Sequence, residues 1–163
     1  MTIADPAEVM IAHDRWANRL MYECCEGLSV DQFNQRFEMG VGSLHDNLVH
    51  NLGAMRGWTD VLDEVEGRPR LEAERMSITE MRELHDEVTA DFERAVYRQP
   101  FETLIHREGG DQSYTFTVGG ILSHVMTHSM HHRAQCLNML RQLGVEELPQ
   151  SSVMEWMLSG EMQ

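Results

Sequence analysis

Apolar residues recur at helical spacing over four long stretches of this chain, each opened by a capping residue, and that pattern constrains its fold more than any other feature. The first stretch runs from Pro6 to Glu26: Asp5 is a good N-cap, Pro6 suits the first helical position, and Val9, Ala12, Trp16, Leu20 and Cys24 follow at helical intervals until Gly27. The second runs from Leu44 to Glu66, with Ser43 and Asp46 resembling a capping box. Leu44, Leu48, Leu52, Met55 and Leu62 form one stripe before Gly67 and Pro69 stop it. The third, Ile78 to Tyr97, opens on the capping box S-I-T-E and carries Met81, Leu84, Val88, Phe92 and Ala95. The fourth, Val118 to Leu143, is capped by Thr117 and followed by Gly144.

Between the third and fourth helices, residues 100–117 include the alternating run S-Y-T-F-T-V, which predicts an extended stretch or a hairpin. A short helix is expected over Val153–Leu158. The expected fold class is all-α: an antiparallel four-helix bundle with a long connection between its third and fourth helices, forming one domain over residues 1–163.

Charge narrows the choice of partners. The chain has 13 Lys+Arg against 27 Asp+Glu, a formal net charge of −14. That balance argues against a nucleic-acid partner and against an anionic membrane surface, both of which need concentrated basic residues. No stretch approaches the ~20 apolar residues of a membrane span. The N-terminus M-T-I-A-D-P-A-E has neither a basic nor an apolar leader segment. Cys24, Cys25 and Cys136 do not make a disulfide framework and read as buried hydrophobes in a reducing cytoplasm.

Histidine is the residue type that points to chemistry. There are 9, and four of them, His124, His128, His131 and His132, fall within one helix. Taking His128 as the origin and ~100° per residue, Ile121, Met139, His132, Val125, Leu143 and Cys136 lie between ~+20° and ~+80°, with Leu122 and Leu140 near ~+120°. His128 and His132 therefore sit inside the apolar stripe. Gln135 and His124 lie on its edge near ~−20° and ~−40°, His131 is farther round, and Arg133 falls well away near ~+140°. Two core-facing histidines at i and i+4 can converge on one ion, and a third ligand then comes from another helix. The second helix offers His45, in its first turn, or His50, which stands off the leucine stripe as a cleft-lining ligand does; the helical wheel favours His50 modestly. His13, His45, His85 and His106 otherwise read as surface or cap residues, and His124 and His131 as cleft-lining or surface. Met55, Met126, Met130 and Met139 read as gap-filling core.

The fourth-helix run H-V-M-T-H-S-M-H-H-R-A-Q-C-L-N-M-L-R-Q-L-G, His124 to Gly144, resembles the corresponding block of the DinB superfamily, H-V-x-N-H-x-x-x-H-R-G-Q ending in L-R-Q-L-G. The run Gly42 to Trp58, with a histidine about two turns before a tryptophan, is similar to that family's second helix, and R-W-A-N-R-L, Arg15 to Leu20, to its first. Thr127 and Ala134 stand where Asn and Gly are common, which bears on the cavity beside the metal. The resemblance implies a three-histidine site for a divalent ion such as Zn²⁺ or Ni²⁺, with His50, His128 and His132 as ligands. It also implies a homodimer. Some relatives are S-transferases or isomerases that use a low-molecular-weight thiol, so the expected function is a metal-dependent transferase that activates a small thiol for attack on an electrophile. His124 or Gln135 would orient a ligand or water there. The alternative is a metal-binding bundle without catalysis, acting in stress response or as a binding module.

Overall fold

The computed structural model describes residues 5–73 and 75–161. The extreme ends of the expected 1–163 domain, with the first four residues of the N-terminal segment, lie outside the described residues. The chain is mostly helical, with one two-stranded sheet. In order it forms α1 (Pro6–Glu26), a single turn α2 (Val30–Phe33), α3 (Leu44–Leu62), a 3₁₀ turn (Leu71–Ala73), α4 (Ile78–Tyr97), β1 (Leu104–Gly109), β2 (Gln112–Thr117), α5 (Val118–Gln142) and α6 (Val153–Leu158). Among the described residues, no helix is long and apolar enough to cross a membrane.

Local chemistry sets these boundaries. The Asp5 carboxylate accepts from the amides of Ala7 and Glu8, and Pro6 fixes the first helical φ. Ser77 and Glu80 form a reciprocal capping box at the start of α4, and Ser29 with Gln32 does the same for α2, which the sequence pattern did not reveal. Thr117 ends β2 and caps α5, so strand and helix share one residue as their joint. β1 and β2 pair antiparallel from Leu104 opposite Thr117 to Gly109 opposite Gln112, with Gly110 in the left-handed region at the turn.

α3 stops at Leu62, short of the expected Glu66. Glu64 adopts φ 55 and the Val65 amide reaches back to the Asp60 carbonyl, the closure usually built on glycine. The chain then folds back along α3: Arg68 pairs with Asp60, and Glu72 reaches His50. This return carries the chain to the starting end of α3, so α3 and α4 run the same way. Arg94 and Arg98 of α4 bond Asp63 at the far end, and α1 runs antiparallel to α4, with Arg15 on Glu93, Arg19 on Asp86 and Arg82 on Glu26. The strictly antiparallel course expected from the sequence is corrected here. Gly67 and Pro69 end no helix; they belong to a connection long enough to cross from one end to the other.

Two apolar clusters fill the interior. Ile11, Met55, Leu62, Phe92, Val96, Ile105, Ile121 and Val125 are buried at one end. Met21, Tyr22, Leu44, Leu48, Met81, Met139 and Leu140 are buried at the other. Between them lies a polar layer. Asp14 and Arg133, 2% and 5% exposed, form an ion pair. Asn18 donates to Asp14 Oδ2 at 3.0 Å, and Ser129 Oγ lies 3.1 Å from Asn18, 3.0 Å from Asn51 and 2.9 Å from Arg133. α1 therefore buries Ala7, Ile11, Asp14, Asn18, Met21 and Cys25. The expected stripe of Val9, Ala12, Trp16, Leu20 and Cys24 is only half-buried, because the true inner face is partly polar and invisible to an apolar pattern. Arg133 is likewise corrected: its angle lies only ~20° beyond that of Leu122 and Leu140, inside the arc that α1 covers.

His13, His45 and His85, expected at the surface, are buried as well; His106 is exposed as expected. His13 Nε2 meets the Ser151 carbonyl at 2.9 Å and its ring packs against buried Trp156 of α6. His45 Nδ1 bonds Asp46 and its ring meets Phe33 edge-on. His85 packs edge-on to Tyr22, with Nε2 3.3 Å from Thr89 Oγ1. Cys25 and Cys136 are buried, Cys24 is half-buried, and all three are free thiols. Met55, Met126 and Met139 fill the core, whereas Met130 is exposed.

Replacing Asp14 with Ala strands a buried guanidinium and is expected to cost about 3–5 kcal/mol, read by denaturant unfolding. Burial pushes the His85 pKa down from 6.5 to about 4, with Asp14 and Asp86 opposing and Arg19 and Arg15 reinforcing. The unfolded chain therefore takes up this proton first as pH falls. The stability from neutral His85 is complete above about pH 6.5 and is lost toward about pH 4. Relative to His85→Gln, the natural chain is expected to lose on the order of 3 kcal/mol across that window. A difference that does not vary with pH would show that His85 contributes nothing to it.

Candidate metal centre

Two elements supply the centre. α3 presents His50 beside its leucine stripe, and α5 presents His128 and His132 one turn apart. One ring nitrogen from each of the three lies within 4.8 Å of the others. The ring centroids are 5.2 Å apart for His50 and His128, 4.8 Å for His50 and His132, and 4.5 Å for His128 and His132. Asn51, Ser129 and Arg133, the residues that follow the three histidines in sequence, belong to the polar layer. The layer that joins α1, α3 and α5 therefore also fixes the height at which the histidines meet.

Two of the rings are held from behind. His132 Nδ1 donates to Asn47 Oδ1 at 3.0 Å and to Gln135 Oε1 at 2.9 Å, which leaves Nε2 as the free lone pair. His50 Nδ1 faces Glu72 Oε1 at 3.3 Å, the carboxylate–histidine arrangement that orients a ligand and raises its basicity. Burial and the neighbouring imidazoles push the His128 pKa down to about 4, and burial with His50 and His131 lowers that of His132. Both rings are neutral near pH 7, as metal ligation requires. Three converging imidazoles, two of them with their second nitrogens held, fit a divalent ion and leave coordination positions open.

The remaining candidates fall around this centre. Gln135, expected to orient a bound ligand or water, is bonded to His132 and donates to His131 Nε2 at 2.8 Å. His131 is exposed, with its ring 5.2 Å from that of His132. His124 is exposed one turn beyond His128, its ring 5.6 Å from His128 and 5.2 Å from Trp58. His45, the other second-helix candidate, is not in the cluster. Its Nδ1 is committed to Asp46. Sequence reasoning missed Asn47 and Glu72. Asn47 lies three residues before His50 and resembles an ordinary helix polar residue. Glu72 lies in the returning connection, which no periodicity marks. Beside His50 a cleft of about 360 Å³ opens against Gly53, Gly57 and Trp58.

Gly40 closes the back of the site. It sits at φ +55, and a Cβ there would lie 2.6 Å from Asn47 Oδ1 and closer still to Gln135 Oε1, the two acceptors that hold His132. Gly40→Ala is therefore expected to weaken metal affinity about 10–100-fold, measured by competition with a chromophoric chelator. Unchanged affinity would show that the acceptors do not orient the ligand.

With this geometry in place, comparison with known proteins is informative. A search of curated proteins finds no match. Among solved structures, a DinB-like protein from Bacillus subtilis superposes with a TM-score of 0.62 at 17% identity, covering 88% of this chain and 96% of that one, which establishes a shared fold. Residues 3–157 match the DinB family, and the chain belongs to that family.

Proposed function

We propose that this protein is a metal-dependent transferase that uses a low-molecular-weight thiol, with His50, His128 and His132 as ligands of a Zn²⁺ or Ni²⁺ ion. Imidazole suits both ions. The observation that carries the reading is the convergence of three imidazoles beside an open cleft, the donor pattern of catalytic rather than closed structural sites. When bound, the ion lowers the pKa of a coordinated thiol or water and so supplies a nucleophile at neutral pH.

The chain's own residues do the rest. Asn47 and Gln135 keep Nε2 of His132 directed inward, and Glu72 braces His50. Gln135 is thus a positioning residue. His124, exposed beside Trp58 and His128, is placed to orient the incoming electrophile or exchange a proton with it. The four long helices act as one bundle-like domain over residues 1–163. A homodimer in the cytoplasm completes the reading.

Metal analysis by mass spectrometry on tag-free protein is expected to give about one ion per chain, falling below about a tenth in His128→Ala and in His132→Ala. Full occupancy in both variants would overturn the ligand set. Consumption of an electrophile that needs both metal and thiol would support the transferase. A protein that holds the ion yet consumes no electrophile with any thiol is instead the non-catalytic metal-binding bundle.

A further inference from the structure

We propose that the cleft beside His50 is a carboxylate-binding subsite, which makes the natural thiol or its electrophile an anion. This rests on the thiol reading above for what reacts, and on the cleft alone for what is recognised. The cleft, of about 360 Å³, is lined by Arg56, Arg68 and Arg70, with His50 and Glu72 at one end. That volume lies in the range of small-molecule sites.

Its carboxylates are already engaged. Asp60, 4% exposed, takes Arg68 Nε at 2.8 Å and the Arg68 amide at 3.0 Å, and Glu72 faces His50. Arg56 bonds the Pro69 carbonyl, a neutral partner that leaves the guanidinium's charge in place. The cleft is therefore net positive within a chain of net charge −14.

The rest of the surface sharpens this contrast. Every basic residue of the chain is an arginine. Arg15, Arg19, Arg82 and Arg94 on the outer helix faces are each paired with an Asp or Glu of a neighbouring element. Arg56, Arg68 and Arg70 bring three guanidiniums against the two carboxylates Asp60 and Glu72 into the cleft beside His50. The planar fork of arginine matches a carboxylate and can grip it bidentately. Gly57 adds no side chain to the wall, and a Cβ there would meet nothing within 4 Å, so the trough stays open. The acidic coat that opposes an anion at long range is screened over ~8 Å at physiological ionic strength, so the local arginines decide binding.

The test uses cobalt-substituted protein and two thiols, mercaptosuccinate and 2-mercaptoethanol, which share a sulfur and differ in carboxylates. Thiol binding is read from the cobalt absorption spectrum. Mercaptosuccinate is expected to bind about tenfold or more tightly than 2-mercaptoethanol. The double variant Arg56→Gln/Arg70→Gln is expected to abolish that preference while leaving 2-mercaptoethanol binding unchanged. Arg56→Lys/Arg70→Lys, which keeps the charge but not the fork, is expected to retain part of it and guards against a variant that merely loosens the loop. Equal affinities for the two thiols, or a preference that survives in the glutamine variant, would overturn the subsite and leave the thiol function standing. Succinate separates the two readings in the other direction. If it raises the melting temperature of the natural chain but not of the glutamine variant while neither thiol perturbs the spectrum, the subsite holds and the thiol function falls.

Discussion

Asp14 and Arg133 face each other at the midpoint of the molecule, and most of what matters about this protein is arranged around that pair. A buried ion pair is a poor source of net stability, because desolvating two charges offsets most of their attraction. What it supplies is register. Asp14 lies on α1 and Arg133 on α5, and Ser129, Asn18 and Asn51 extend the same layer to α3. A slip of either helix by one turn would leave a charge without a partner inside an apolar core. The two apolar clusters above and below have no such requirement, since Leu, Met and Val side chains repack at modest cost.

The same layer sets the level of the three histidines. Each is followed in sequence by a member of the layer, so the backbone that holds the polar network also holds the ligands. The remaining freedom, rotation of each ring, is removed by separate devices. Asn47 and Gln135 act on His132 and Glu72 on His50, and Gly40, lacking a Cβ, leaves room for the first two. Coarse position comes from buried charge and fine orientation from hydrogen bonds, and the two are drawn from different residues.

How much of this was legible in the sequence depends on the kind of residue. The helix starts at Asp5, Ser43, Ser77 and Thr117 were visible because a cap is a local device written in one or two residues. The leucine stripe of α3 and the stripe of α4 from Met81 to Ala95 were visible because they are apolar, while Asn47, Asn51 and His85 beside them were not. The inner face of α1 was not, because Asp14 and Asn18 belong to it, and a reading that equates inside with apolar rotates the helix away from them. Arg133 was lost the same way. The burial of His13, His45 and His85 is not legible in an apolar pattern, because an imidazole with one hydrogen-bond partner is buried more readily than its polarity implies. The parallel course of α3 and α4 was hidden by Glu64, which takes a left-handed conformation where glycine would have announced the turn. His50 stood out from the wheel only weakly; Glu72, which braces it, is distant in sequence and gave no pattern at all.

The connection from Asp63 to Leu71 has a consequence for how such a protein changes over evolutionary time. The histidines stand on α3 and α5, whose inner faces are locked by the core, so a substitution there is felt throughout the molecule. One wall of the cleft, Gly67 to Leu71, stands on the connection, which is mostly exposed and is fastened to α3 at a few points, such as Arg68 on Asp60 and Arg56 on Pro69. Segments of that kind accept substitutions and length changes that a helix core rejects. One part of the site can therefore drift while the other stays fixed, so descendants of this scaffold can exchange one ligand for another without having to reinvent the centre at which it reacts.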